Sequence, residues 1–410
     1  VAVEAYEQLE AEGYLEGRKG SGCYVRAGVR IEPRPDPARP GATRPPPLPR
    51  GFIAFATGLP AQELIPWDAW GNALKEAAPQ LTRVGYGEPE GLPELREQLS
   101  AYLYRARGLR CAPEDVCITS GSTQALALLT GLCCPAGTVA ILEDPCHVAM
   151  RELLATAGTA ILPHPVDAQG LVVDTLPEIP AGLIYVTPSH QFALGGVLPA
   201  TRRSRLVAWA RAHRALVLED DYDGEFRYGG QPLLPLRESD PEGVAYVGTL
   251  SKLFSPALRL GWVILPGALR GRWREAKRWS DVHSALLEQA ALARLLASGR
   301  LEQHVHRMRR IYGARREALL EALAGAFPGR VEPRGAAAGL HLAVRFPGLA
   351  FTADRLDRLK QAGVGVTPVS AHAVGTCEAS RDTVLMGYGN LDERRIREGV
   401  RRMGSALASG

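Results

Sequence analysis

Six short apolar runs punctuate the middle of the chain: VCITS (116–120), TVAILED (138–144), GLIYVTP (182–188), ALVLEDD (215–221), AYVGTL (245–250) and GWVIL (261–265). Their apolar positions are consecutive instead of alternating, as in strands covered on both faces. Helix-length segments separate most of them, so the pattern predicts an α/β domain with a mostly parallel sheet. In such sheets chemistry gathers at the C-terminal ends of the strands. From about residue 285 helices are followed by scattered short strands (LHLAVRF, VGVTPV, TVLMGYG), which predicts a smaller α+β domain.

The opening segment VAVEAYEQLEAEGYL (1–15) places Val3, Tyr6 and Leu9 at helical spacing and stops at Gly13. EGRKGSGCYV follows, with Gly20 and Gly22 around a short turn, and predicts a β-hairpin. Residues 29–50 are rich in Pro and Arg and lack apolar periodicity, the composition of an extended, semi-rigid linker. The expected organisation is a small unit over 1–27 and a linker over 28–50. A large domain over 51–284 follows, its first residues packing on a small domain over 285–410. Val1 stands inside the helix-like pattern and is not Met, so the natural start is expected to be missing.

With 46% hydrophobic and 22% charged residues, the 410-residue chain has the composition of a globular protein. A net charge of +4 is too small for wholesale nucleic-acid coating, so any DNA contact must be local. The seven cysteines form no CxxC pair and are odd in number, against a disulfide framework or zinc site. Without a signal pattern or a long apolar run, the expected setting is the cytoplasm, with no membrane contact.

Five lysines (19, 75, 252, 277 and 360) stand against 43 arginines. Arginine stays protonated and cannot do amine chemistry, so a lysine inside an apolar segment is conspicuous. Lys252, in GTLSKLFSPALRLGW, is the one so placed. Beside a strand end, among small and hydroxyl residues, its amine can lose its proton by desolvation and form a Schiff base. In LEDDYDGEF (218–226), Asp220 can hold a pyridine nitrogen protonated and Tyr222 can hydrogen-bond a ring oxygen. A calcium loop starting at Glu219 fails at its twelfth position, Gly230, where a glutamate is needed. VCITSGSTQALALL runs through Ser122 and Thr123 into a helix whose free N–H groups bind phosphate, and Arg259 can pair with the same dianion. Each feature alone has an ordinary alternative: a loop lysine, a solvated acidic loop, a helix cap or a surface arginine. Their joint placement at strand ends points to pyridoxal phosphate. His304 and His306, two apart on a helix, face away from each other and are read as structural, with no metal.

At these residues the chain resembles fold-type I aminotransferases of class I/II over roughly residues 50–405. RVGYGEPEGLPELREQLSAYL (83–103) is similar to the family's YG-x-x-x-G-x-x-x-LR segment. The resemblance implies that Tyr86 reaches the phosphate of a neighbouring subunit, hence a homodimer with shared active sites. It also implies that Lys252 carries the cofactor, with Thr249, Ser251 and Arg259 around the phosphate. Residues 1–27 resemble the end of a GntR-type winged helix-turn-helix, whose AY-x-x-L-x-x-EGY-L helix and GSG wing read here as AYEQLEAEGYL and GRKGSGCYV. Winged helix, linker and aminotransferase-like domain together are the arrangement of the MocR/GabR-like regulators, and PSHQF (188–192) and EDDYD (219–223) are similar to that subfamily as well. DNA is the implied partner of the full winged domain, with Arg18 and Lys19 as candidate backbone contacts.

The sequence departs from the family's pattern in four places. His147 stands where a tyrosine usually stacks on the ring. Phe192 replaces an asparagine that bonds the ring oxygen, and Ala193-Leu194-Gly195 replaces Pro-Thr-Gly. Leu385 stands about where many transaminases carry the arginine that grips the substrate carboxylate, leaving Arg381 as a nearby substitute. The expected function is therefore a regulator sensing an amine or amino-acid-like effector through pyridoxal 5'-phosphate. A working aminotransferase and a cofactor-free dimerisation scaffold are the alternatives.

Overall fold

A computed structural model of the chain describes residues 2–28, 51–83, 85–229, 233–375 and 380–408. Two compact units emerge, Val1–Leu48 and Pro49–Gly410. Most of the expected linker lies outside the described residues. In the first unit, helix α1 (Ala2–Ala11) precedes a hairpin of β1 (Leu15–Arg18) and β2 (Gly22–Val25), in which Arg18 pairs with Gly22. Gly20 and Gly22 both hold positive φ there, the conformation a tight turn asks of glycine.

The second unit begins with β3 (Ile53–Ala54), α2 (Trp67–Ala77) and α3 (Pro93–Arg107). Next come β4 (Val116–Thr119), α4 (Ser122–Cys133), β5 (Val139–Asp144), α5 (Val148–Thr156), β6 (Ala160–Asp167) and β7 (Gly170–Leu171). The domain continues with β8 (Leu183–Val186), α6 (Ala200–His213), β9 (Leu216–Asp220), β10 (Val244–Thr249), the one-turn α7 (Leu250–Leu253), β11 (Gly261–Ile264) and α8 (Arg270–Asp281). An eight-stranded sheet forms in the order β4-β11-β10-β9-β8-β5-β6-β7. Strands β10, β9, β8, β5 and β6 pair in parallel, while β11 runs antiparallel to both its neighbours and β7 antiparallel to β6.

Both faces of this sheet are covered, which is why its strands read as unbroken apolar runs. On β8, Leu183 and Tyr185 join the core under α4, α5 and α8, with Leu126, Met150 and Trp273. Ile184 and Val186 point the other way, into the core under α6, with Leu206 and Ala210.

After α9 (Leu286–Ala297) and α10 (Arg300–Ala326), strands β12 (Glu332–Arg334) and β13 (His341–Arg345) precede α11 (Ala353–Gln361). Then β14 (Val364–Gly365), β15 (Thr367–Pro368), β16 (Thr383–Gly387) and α12 (Glu393–Ala408) complete the chain. β12, β13, β16 and β15 make a four-stranded antiparallel sheet. β3 pairs in parallel with β14, so the segment just after residue 50 packs against C-terminal elements. His304 is buried against Phe254 and His306 is exposed.

The six described cysteines are free thiols, and Cys377 lies outside the described residues. No described helix is long and apolar enough to cross a membrane.

Candidate functional site

The C-terminal ends of β4, β5, β8, β9 and β10 open onto a cavity of about 280 Å³, closed from the other side by Thr57, Gly58, Leu340, His341 and His372. Of the residues singled out in the sequence, Lys252, Asp220, Tyr222, Ser122, Thr123, His147, Thr249, Ser251 and Arg259 all line it.

Lys252 projects from α7, which starts abruptly after β10 because the Thr249 side chain accepts a hydrogen bond from the Ser251 N–H at 3.2 Å. Burial lowers the pKa of its amine, opposed by the carboxylates of Asp223 and Asp220. Gly58 makes room for it: a β-carbon there would lie 2.7 Å from Lys252 Nζ. A second lysine, Lys277, is also fully buried, which its sequence context did not suggest, but it is tied to Asp281 at 2.5 Å and Ser284 at 3.2 Å.

Asp220 ends β9, 6% exposed. Its Oδ2 accepts the Tyr185 hydroxyl at 2.7 Å, while Oδ1 is buried with no partner. Burial pushes its pKa up to about 6, although the Tyr185 bond pulls the other way. A buried acceptor without a donor is costly and calls for a ligand that supplies one. Tyr222 donates to the carbonyl of His190 at 2.9 Å, and burial holds its phenol well above the ordinary range.

At the far end, Gly121 (φ +85°) leads into α4, and a β-carbon on it would sit 2.5 Å from Arg259 Nη2. Arg259, itself at φ +50°, donates from Nη2 to the Ser120 carbonyl at 3.0 Å. The free N–H groups of a helix start, two hydroxyls and a guanidinium thus converge, the donor set an anion requires. His147 precedes α5; burial lowers its pKa to about 4, and its Nδ1 is buried without a partner. These observations fit pyridoxal phosphate: an amine, an orphaned carboxylate oxygen and an anion cradle lie in one cavity.

Other singled-out residues do not line the cavity. Arg381, expected to help hold an effector, is exposed before β16 and is not among the residues lining the cavity. Four residues on, Leu385 is fully buried with Phe192, Ala193, Ala343 and Val369, so that strand face is filled by packing. Tyr86 is 89% exposed, its ring 6.3 Å from His283. Arg18 and Lys19 sit at the hairpin turn of the N-terminal unit, where Arg18 pairs with Glu16 at 2.6 Å and lies over Tyr24.

Sequence reading did not single out Thr57, Gly58, Tyr185, Asp223, His341 or His372. Asp223 carried a signal, standing inside the quoted EDDYD run. His190, Asp223 and His341 form a buried group whose donor atoms lie within 4.8 Å of one another, the spacing of a metal site. They already bond within the protein: His190 Nδ1 meets Asp223 Oδ2 at 3.0 Å, and His341 Nε2 meets the Ala193 carbonyl at 3.3 Å.

The model of the aminotransferase class I and II family matches residues 50–398. The probable rhizopine catabolism regulatory protein MocR of Rhizobium meliloti is 31% identical over 99% of this chain and 85% of its own length. The HTH-type pyridoxine biosynthesis transcriptional regulator PdxR of Corynebacterium glutamicum is 32% identical over 100% of this chain and 87% of its own. The chain belongs to the MocR-like regulators of the class I and II aminotransferase family. Among solved structures, this MocR-like chain is similar to α-aminoadipate aminotransferase LysN of Thermus thermophilus, complexed with N-(5'-phosphopyridoxyl)-L-leucine. The TM-score is 0.79 at 29% identity, over 88% of this chain and 93% of that one. The family and these neighbours imply pyridoxal phosphate as the cofactor of the fold.

Proposed function

We propose that this MocR-like protein is a transcription regulator that holds pyridoxal 5'-phosphate on Lys252 and senses an amine or amino-acid-like effector with it. The observation carrying this reading is a desolvated lysine amine sharing one cavity with the unpartnered Oδ1 of Asp220. When bound, the cofactor supplies an aldehyde that condenses with amines and a ring that withdraws electrons once its nitrogen is protonated.

Lys252 offers the amine, made available as a nucleophile because burial disfavours its charged form. Asp220 would hold the proton on the ring nitrogen, and Tyr185 fixes the carboxylate that would do so. Ser122, Thr123, Thr249, Ser251 and Arg259 would bind the phosphate, His147 would cover the ring and Tyr222 would meet its oxygen. An effector amine would compete with Lys252 for the aldehyde the cofactor supplies, and the two occupancies of the cavity are what the DNA-binding part would read. DNA contact belongs to the full winged domain, with Arg18 and Lys19 on the backbone. Tyr86, exposed in the single chain, is offered to the phosphate site of a second copy, making the working unit a homodimer with shared sites. The setting is cytoplasmic.

The test is spectroscopic. Purified protein is expected to be yellow, and candidate amines to shift its absorbance without sustained turnover of donor and keto acid. Colourless protein that takes up no pyridoxal phosphate would overturn the reading. Sustained turnover, abolished by Lys252→Ala, would make the protein a working aminotransferase.

A further inference from the structure

Cations in the cavity are confined to one end and to the reacting amine. Among the described lining residues, the guanidinium and ammonium groups are those of Arg259 and Lys252 alone. Arg259 belongs to the anion cradle, bonded to the Ser120 carbonyl beside Gly121, and Lys252 is the amine an effector must displace. The rest of the lining carries hydroxyls, the carboxylates of Asp220 and Asp223, and one apolar and imidazole wall built on Phe192. The Phe192 ring centroid lies 5.6 Å from that of His147, 5.6 Å from His341 and 4.9 Å from His372, edge-on in each case.

Burial lowers the pKa of all three histidines, to about 4 for His147 and well below the ordinary value for His341, so they are neutral at pH 7. Nδ1 of His147 and of His372 are buried and unpartnered, open to a hydroxyl but supplying no charge. The further charged lining groups, Asp220 and Asp223, are carboxylates. An effector carboxylate brought against this wall would be stripped of water, face neutral rings and lie near like charges.

We infer that the effector selected by this cavity is an amine without a carboxylate beside its amino group, an aryl- or alkylamine whose apolar body lies against Phe192 and whose hydroxyl, if present, meets the free imidazole nitrogens. This rests on the reading of Lys252 as the cofactor-bearing amine.

Matched pairs test it: tyramine against tyrosine, and phenethylamine against phenylalanine, each titrated into yellow protein. Dissociation constants are read from cofactor absorbance and, independently, by calorimetry. The decarboxylated member of each pair is expected to bind at least tenfold more tightly. Equal or tighter binding of the amino acids, including through an anchor from a second copy, overturns the inference, as does a lack of response to every probe. Those results leave the cofactor reading standing provided the colour is lost in Lys252→Ala; colourless wild-type protein removes that reading itself. A second variant probes the wall directly. His372→Arg, at a partly exposed position, should strengthen tyrosine binding at least tenfold, and no gain contradicts the inference.

Discussion

Tyr185 gives its hydroxyl hydrogen to one oxygen of Asp220 at 2.7 Å and leaves the other oxygen buried and bare. Without a ligand this is a stability cost. The folded pKa, about 6, lies above the ordinary aspartate value of 3.8. Between those two values the folded chain keeps a proton that the unfolded chain has lost, so this group's contribution falls as pH rises and the full penalty stands above about pH 6. Asp220→Asn is therefore expected to stabilise cofactor-free protein at pH 8, by about 3 kcal/mol at most, while abolishing cofactor retention. Thermal unfolding with and without pyridoxal phosphate checks both halves, and a lower Tm for cofactor-free Asp220→Asn would contradict the account. In wild type, affinity for pyridoxal phosphate should weaken as pH drops through about 6.

Gly58→Ala introduces a β-carbon at φ +69° and 2.7 Å from Lys252 Nζ. Strain at such a position costs on the order of 1 kcal/mol, and the amine must move. A lowered Tm is expected together with reduced cofactor occupancy, measured by absorbance. Full occupancy with an unaltered spectrum would show that the amine does not need the space Gly58 leaves.

Arg107 and Asp221 form an ion pair beneath the site, their side chains 2% and 1% exposed. Arg107 Nε meets Asp221 Oδ2 at 2.8 Å, Nη1 reaches the Gly224 carbonyl at 2.9 Å, and Tyr246 donates to the same Asp221 oxygen at 2.8 Å. Arg107→Met strands a buried carboxylate and is expected to cost about 3–5 kcal/mol in denaturant unfolding. The double variant Arg107→Met/Asp221→Leu should lose less, since no charge is left unpaired. Equal losses in both would rule out the stranded charge as the cause.

Much of this architecture was legible because burial on both faces writes strands as continuous apolar runs. All six such runs are strands of the large sheet, their ends within a residue or two of the structure. β6 was not read: AILPHPVD lies near the sheet edge, half exposed and carrying Pro163 and Pro165. The reversed direction of β11 was hidden too, because apolar runs carry no sign of orientation. Lys252, Asp220 and Ser122 could be found because each ends or follows a strand in a compact motif. Gly58, His341 and His372 could not, since only the tertiary fold brings the residues around β3 and the C-terminal sheet over the strand ends.

The central claim concerns one amine. Reducing the purified protein with borohydride in the presence of pyridoxal phosphate and mapping the product by peptide mass spectrometry tests it most directly. A phosphopyridoxyl group on the peptide containing Lys252, and its disappearance in Lys252→Ala, is the predicted result. Label on Lys19, Lys75, Lys277 or Lys360 instead, or no label at all, would contradict it.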